Sequence, residues 1–133
     1  MRQQTHRSGR KFRNIKAWQR ADVLVMLVYK ATQEFPKEEQ YGLVSQMRRA
    51  AVSVAANIVE GSSRRSPQEY LQFLSVARAS LNELAYYIEL TSRLNYLVPE
   101  RFQQIDNASQ ETARVLYGLI QAVLKERVVE CVH

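Results

Sequence analysis

The sequence is poor in cysteine, glycine and proline, and each shortage excludes a class of structure. Its one cysteine, Cys131, cannot form an internal disulfide, so the chain must fold without crosslinks, and we expect a reducing, cytoplasmic setting. Four glycines and three prolines in 133 residues favour an all-helical fold. No apolar run approaches the roughly 20 residues that span a bilayer, and no segment typical of a signal peptide is present. We therefore expect no membrane contact.

Histidine is almost absent, which removes most catalytic and metal-binding arrangements. The two histidines, His6 and His133, lie near opposite ends of the chain. Glu-x-x-His metal pairs, Ser-His-Asp triads and Cys-His nucleophiles therefore cannot be built. The phosphate-binding patterns GxxxxGK[ST] and GxGxxG are missing as well. We predict a protein that is not an enzyme and has no catalytic residues, no metal and no cofactor.

The chain is organised around an amphipathic segment from Tyr41 to Gly61. Apolar residues recur there at helical spacing, namely Leu43, Met47, Ala50, Ala51, Val54 and Ile58. Val52 and Val59 lie on the opposite side, with the small Ala56 nearby, which predicts a helix with neighbours on two sides. We therefore expect a bundle that also self-assembles. Gly61 is expected to end this helix in the left-handed conformation.

Three further helices are predicted around this segment. The first extends from near Asn14, a plausible N-cap, to Gln33, and Pro36 prevents its continuation. The third begins at Ser66-Pro67-Gln68-Glu69, a capping box with proline in the first helical position. Pro99 opens the fourth, whose apolar pattern fades near Lys125. The prediction is an all-α, up-down-up-down antiparallel four-helix bundle over residues 14–125, with a basic flexible leader at 1–13 and a frayed end at 126–133.

The net charge of +6 comes entirely from the beginning of the chain. Residues 1–16 contain no acid, and the rest of the chain has 13 basic and 13 acidic residues. Such a leader can contact phosphate-rich partners, or it can be a disordered end that only aids solubility. On the first interpretation, the candidate nucleic-acid-binding residues are Arg7, Arg10, Lys11 and Arg13, with Arg64 and Arg65 on the body.

A polar stripe follows the central helix beside its apolar face, formed by Gln46, Arg49, Ser53, Asn57 and Glu60. It is either a hydrogen-bonded seam between helices or subunits, or a side that faces solvent. Arg48 and Arg49 precede Arg64 and Arg65 by about 15 residues, or roughly 22 Å of helix. The two arginine pairs are therefore predicted to form separate patches.

The motif Q-x-R-R-A-x-x-S-x-x-x-N-x-x-E-G, which extends from Gln46 to Gly61, resembles a known family. Together with SPQEYLQFLSVARASLNEL from Ser66, it is similar to the proteins encoded in intervening sequences of bacterial 23S ribosomal RNA genes, over roughly Phe12 to Leu124. The resemblance implies a small cytosolic four-helix bundle that assembles as a ring-shaped homopentamer and has no established enzymatic activity. The fold is also similar to the accessory variability determinant of diversity-generating retroelements, a pentamer that engages a reverse transcriptase and nucleic acid.

Two functional hypotheses follow from these observations. The leading one is a non-enzymatic oligomer that binds nucleic acid, preferably RNA, through its basic surface and leader. The alternative is a protein-interaction scaffold with no nucleic-acid role, in which the leader is incidental.

Overall fold

Four α-helices connected by short links form an all-α bundle in the part of the chain that the structure describes. The computed structural model describes residues 11–132, with side chains up to Val129. The helices are α1 (Lys16–Thr32), α2 (Leu43–Ser62), α3 (Pro67–Arg93) and α4 (Pro99–Val132). Short 3₁₀ helices at Lys11–Asn14 and Lys37–Glu39 precede α1 and α2, and there is no strand within residues 11–132. The predicted all-α, four-helix fold is confirmed.

The helices pack in a closed square, since α1 and α3 each contact both α2 and α4. The apolar stripe predicted for α2 is buried in full, and residues from all four helices complete one core. Its fully buried large side chains are Leu24, Val28, Met47, Val54, Ile58, Leu74, Leu84, Ile88, Ile105 and Leu116. None of the helices within residues 11–132 has the length and hydropathy needed to cross a bilayer.

The start of α1 differs from the prediction that Asn14 caps it. Asn14 ends the preceding 3₁₀ helix, and Ile15 occupies the cap position without a side-chain hydrogen bond. The reason is local packing: Phe12 meets Trp18 edge to face with ring centroids 4.9 Å apart, and the Ile15 N–H donates to the Phe12 carbonyl at 2.9 Å. The chain before α1 therefore folds back onto the helix, and residues 11–13, which the prediction assigned to the leader, form part of a 3₁₀ turn.

Both ends of α3 follow known capping rules. The Glu69 N–H donates to the Ser66 hydroxyl at 3.1 Å, and Pro67 is the first helical residue, as predicted. At the other end Asn95 adopts a left-handed conformation with φ of 61°. The Tyr96 N–H donates to the Thr91 carbonyl, and the Asn95 N–H to the Ser92 carbonyl, which is the hydrogen-bond pattern of a Schellman cap.

The prediction that Gly61 ends α2 in a left-handed conformation is wrong. The helix continues through Gly61 to Ser62, and no glycine in the described residues has a positive φ. A Cβ atom at Gly61 would lie 2.8 Å from the Tyr70 ring and 2.9 Å from the Phe73 Cβ. Glycine is required here because α2 and α3 approach each other closely, which is a property of packing and not of the local backbone.

The backbone of α4 stays helical beyond Lys125, where the apolar pattern fades and the bundle was predicted to end. The helix extends to Val132. Val128 and Val129 in this extension are more than half exposed, so α4 continues here with little cover from the other helices. Helical hydrogen bonds are local, and a helix can therefore outlast its hydrophobic stripe.

Candidate nucleic-acid interface

Antiparallel packing brings four distant parts of the sequence to one end of the bundle. The beginnings of α1 and α3 lie there, together with the ends of α2 and α4. The 3₁₀ helix at Lys11–Asn14 packs on both α1 and α2, and Gly61 packs on Tyr70. Burial raises the pKa of Tyr70, and the charge of Glu126 raises it further, which places the late turns of α4 beside the first turns of α3.

This end, which we call the basic end, has more basic than acidic residues. Among the side chains that the structure describes, its acids are Glu60, Glu69 and Glu126, and its basic residues are Lys11, Arg13, Lys16, Arg64, Arg65, Lys125 and Arg127. Sequence reasoning selected Lys11, Arg13, Arg64 and Arg65 as candidates but missed Lys16, Lys125 and Arg127. The signal that could have found them is the antiparallel topology itself, because it predicts which helix ends are neighbours.

Two of the candidates, Arg7 and Arg10, lie outside the described residues. The structure therefore gives them no position, and their role stays a prediction. The described chain begins with Lys11 at the basic end, so residues 1–10 are attached to the bundle at that end.

Arg64 follows the end of α2, and its side chain is oriented by Glu60 and Phe73. Its guanidinium carbon lies 4.7 Å from the centroid of the Phe73 ring, and its Nη2 donates to Glu60 Oε1 at 2.7 Å. The Arg64 side chain is nonetheless 41% exposed. An exposed ion pair of this kind adds little stability, so its main effect is to limit where the guanidinium points. Arg64 therefore presents a partly fixed planar donor group to solvent.

Arg13 and Arg65 offer less constrained charges at the same end. The guanidinium carbon of Arg13 lies 5.9 Å from the Phe12 ring centroid and 5.8 Å from that of Trp18. Gln19 Nε2 donates to the Arg13 carbonyl at 2.7 Å, which fixes the backbone at this point. Arg65 is exposed, and it forms no ion pair with any carboxylate in the described residues.

The predicted polar stripe on α2 does not form one continuous seam in this chain. Ser53 and Asn57 are half-buried between α2 and α3, whereas Gln46, Arg49 and Glu60 are exposed. The Ser53 and Ser80 hydroxyl oxygens lie 2.7 Å apart, and Asn57 Nδ2 donates to the Ser53 carbonyl at 2.8 Å. Only the middle of the stripe is therefore a helix–helix seam, while both ends face solvent.

Arg48 and Arg49 lie near the start of α2, far from the basic end. Arg48 connects α1 to α2: its Nε donates to the Thr32 hydroxyl at 2.9 Å, and its Nη2 donates to the Tyr29 carbonyl at 3.3 Å. Its guanidinium also lies 4.6 Å from the Tyr29 ring centroid. Arg49, one residue on, remains exposed.

The chemistry of the basic end is that of anion binding. Guanidinium and ammonium groups donate to phosphate oxygens, and their charge attracts a polyanion before contact. Among the side chains of residues 11–129, no group of three or more histidine, cysteine, aspartate or glutamate residues is arranged to hold a metal ion.

Comparison with known proteins agrees with this fold. The family model described as 23S rRNA-intervening sequence protein matches residues 13–118. A crystal structure of a protein of unknown function from the S23 ribosomal protein family of Bacteroides thetaiotaomicron VPI-5482 is similar with a TM-score of 0.70 and 24% identity. The match covers 78% of this chain and 97% of that one, and at this identity it shows the fold alone. No curated protein matches the sequence. Because the family match extends over most of the chain, the protein belongs to the 23S rRNA-intervening sequence protein family.

Proposed function

We propose that the protein is a non-enzymatic, cytoplasmic oligomer that binds RNA through its basic end and the leader attached to it. The observation that carries the proposal is the convergence of basic residues from four helix ends at the end where residues 1–10 join the bundle. Three of these basic residues, Lys11, Arg13 and Lys16, come from the acid-free segment 1–16, and the fold brings Arg64, Arg65, Lys125 and Arg127 to the same end.

The proposed binding is electrostatic and tolerant of sequence. Each phosphate that a lysine or arginine neutralises releases counterions, so affinity should fall with salt by a log–log slope of about −0.7 per contact on single strands. Base reading needs exposed donors, acceptors or aromatic platforms, yet Phe12, Trp18 and Phe73 at the basic end are half-buried and in contact with arginines. Sequence discrimination by the basic end should therefore be poor.

Self-assembly is part of the proposal and rests on the outer side of α2. Val52 is 40% exposed there, Ala56 is exposed and Val59 is half-buried, so the apolar side predicted from the sequence is not covered by another helix of the same chain. The number of subunits, five, comes from the family resemblance. Five basic ends in one particle would raise the apparent affinity for RNA by multivalency.

The second candidate function is a protein-interaction scaffold, and the outer face of α1 favours it. Val23 and Met26 are 51% and 64% exposed on that face. If the outer face of α1 is the functional surface, removing charges from the basic end should not change the affinity for RNA.

The deciding experiment compares two double variants with the same loss of charge. Arg65→Gln/Lys125→Gln removes an exposed arginine and lysine from the basic end, and Lys37→Gln/Arg93→Gln removes an exposed pair from the opposite end. Fluorescence anisotropy with a short RNA across a salt series is the measurement. We expect the basic-end variant to lose about tenfold in affinity at low salt and to reduce the salt slope by about 1.4, and the control to bind like the wild type.

A shortened protein lacking residues 1–10 tests the leader while keeping the contact between Phe12 and Trp18. We expect weaker binding and a smaller salt slope than for the full chain. Equal losses in the two charge variants, or no binding by any version at low salt, would favour the scaffold. Light scattering should give a mass near five chains, and a monomer at micromolar concentration would contradict the assembly.

A further inference from the structure

A cleft of about 410 Å³ lies between the last turns of α1 and the first turns of α2, at the end of the bundle opposite the basic end. We call it the tyrosine–arginine cleft. Its chemistry comes from Tyr29, Gln40, Tyr41, Ser45, Arg48 and Arg49. It combines two aromatic rings, two cations, an amide and a hydroxyl along one shallow, open pocket.

The aromatic side chains offer a stacking surface. Tyr41 is 95% exposed, the most exposed of the large hydrophobic side chains in the described residues, and it stands beside the cleft. Tyr29 is 39% exposed, and the guanidinium of Arg48 covers one face of its ring. Neither ring is needed to complete the core of the bundle. Each base of a nucleic acid has a π-face that can stack on such a ring.

The arginines of the cleft offer charge without a carboxylate partner. Within residues 11–132, neither Arg48 nor Arg49 forms an ion pair. Arg48 is held in place by Thr32 and the Tyr29 carbonyl, whereas Arg49 is exposed. The nearby Glu39 is engaged elsewhere, because its two carboxylate oxygens accept hydrogen bonds from the Leu43 N–H and the Tyr96 hydroxyl. The guanidinium of Arg49 is thus available to an anion from solvent.

We propose that the tyrosine–arginine cleft binds one nucleotide unit. The base stacks on Tyr41, the phosphate contacts Arg49, and the Gln40 amide and Ser45 hydroxyl supply hydrogen bonds to the polar edges. A planar ring joined to a phosphate can contact both the tyrosines and the arginines of the cleft, whereas a simple anion would contact only the arginines. The proposal does not depend on RNA binding at the basic end, which lies at the other end of α2.

Such a nucleotide has two possible sources, a free mononucleotide or one residue of a single-stranded RNA. A single strand continues beyond the cleft, whereas a mononucleotide does not. Adenosine 5′-monophosphate and a 5′-phosphorylated oligoadenylate of eight residues therefore distinguish the two sources. Similar affinity for both probes indicates a mononucleotide site. Oligoadenylate binding at least about tenfold tighter indicates a site for a single strand whose neighbouring residues also contact the protein.

The test is a titration of the full chain with adenosine monophosphate, followed by backbone amide chemical shifts in NMR spectra. We expect shifts of Gln40, Tyr41, Ser45 and Arg49. Tyr41→Ala and Arg49→Gln should each weaken binding about fivefold or more. The matched controls are Tyr117→Ala, at a tyrosine 60% exposed on α4, and Arg78→Gln, at an exposed arginine on α3. Both controls should change affinity less than about twofold.

The basic-end variant Arg65→Gln/Lys125→Gln separates this proposal from the proposed function, because it should keep its affinity for adenosine monophosphate. The absence of cleft shifts at about 10 mM adenosine monophosphate would overturn the proposal, since a weak ligand site has a Kd near 1 mM. Equal losses in the controls would overturn it as well. The proposal would also be overturned if Tyr41→Ala changed the mass of the oligomer but not the affinity for adenosine monophosphate. That result would show that the cleft is a contact between copies of the chain.

Discussion

The two ends of the bundle differ in the contacts that join their helices and in the charged residues that they expose. At the basic end, α2 and α3 touch through Gly61, Tyr70 and Phe73, with no room for another carbon atom. At the opposite end, the connections between helices are joined by hydrogen bonds. The basic end has an excess of cations, whereas the opposite end mixes Lys37, Arg48, Arg49 and Arg93 with several glutamates. The excess at the basic end comes mainly from Lys11, Arg13 and Lys16, which belong to the acid-free segment 1–16.

At the hydrogen-bonded end, Glu39 in the link between α1 and α2 accepts two hydrogen bonds. Its Oε1 accepts from the Leu43 N–H at 3.2 Å, which caps α2, and its Oε2 accepts from the Tyr96 hydroxyl at 2.8 Å. The Tyr96 ring also packs on Phe35 with centroids 5.3 Å apart. One side chain thus joins the α1–α2 link to the α3–α4 link. The comparison teaches that the two ends are joined differently: close apolar contact between α2 and α3 joins the basic end, whereas the opposite end adds hydrogen bonds of Glu39 to an aromatic contact.

The largest expected effect is at the apolar contact of the basic end. Gly61→Ala places a Cβ atom within 2.8 Å of the Tyr70 ring, so α2 and α3 must separate or the ring must move. We expect the free energy of unfolding to fall by about 1–3 kcal/mol, which is typical of an overpacked core. Chemical denaturation monitored by circular dichroism is the measurement.

Gly118→Ala is the control for this substitution, because a Cβ atom there has nothing within 4 Å. Alanine favours the helix over glycine by about 0.5–1 kcal/mol, so this variant should be more stable than the wild type. Gly61→Ala with equal or greater stability than the wild type would show that the basic end is not closed by this contact.

A smaller effect is expected at the hydrogen-bonded end. Tyr96→Phe removes the donor to Glu39 but keeps the ring on Phe35, and Glu39→Ala removes both acceptor oxygens. Each variant should lower the thermal midpoint by less than Gly61→Ala does. The double variant should lose less than the sum of the two, because one interaction is shared. Additive losses would mean that Glu39 acts only as the cap of α2.

The smallest effect is a dependence of stability on alkaline pH. The hydrogen bond to Glu39 raises the pKa of Tyr96 from its ordinary value of 10.0, with burial and the Glu39 charge adding to it. A folded-state pKa above the unfolded one means that this contribution is complete below pH 10 and is lost as the pH rises through the raised value. Thermal midpoints should therefore fall above pH 10.

The matched variant for the pH series is Tyr96→Phe, which should show a shallower alkaline decline than the wild type. Tyr70 at the basic end has a raised pKa for a different first cause, which is burial. It should titrate in both proteins and leave part of the decline in place. Identical pH profiles for the wild type and Tyr96→Phe would mean that the bond to Glu39 does not influence folding.

Local signals in the sequence predicted a large share of this fold. The spacing of apolar residues predicted the buried faces, as α2 shows from Leu43 to Ile58. Ser66 and Pro67 predicted the start of α3, and Pro99 predicted the start of α4. These features depend on residues within one or two turns of each other, which is why a sequence alone can reveal them. The predicted cap at Asn14 failed although the contact that replaces it, Phe12 on Trp18, is also local, because it lies outside the helix and follows no helical periodicity.

The candidate sites were less accessible to sequence reasoning. Arg64 and Arg65 could be selected by their charge, but Lys125 and Arg127 join them only because α4 runs antiparallel to α3. Arg48 and Arg49 are adjacent in sequence, yet one binds across to α1 and the other faces solvent. The helical rotation of about 100° per residue separates such neighbours, and only the packing of α1 determines which of the two is engaged.

The sequence by itself determined the helices, their order and the faces that they bury, because periodicity and capping act over short distances. The tertiary structure alone decided why Gly61 must be glycine, which charges form the basic end and which aromatic rings stay outside. Each of these features depends on the distance between two packed helices and on which of their turns lie side by side. The side chains of both helices together determine that packing.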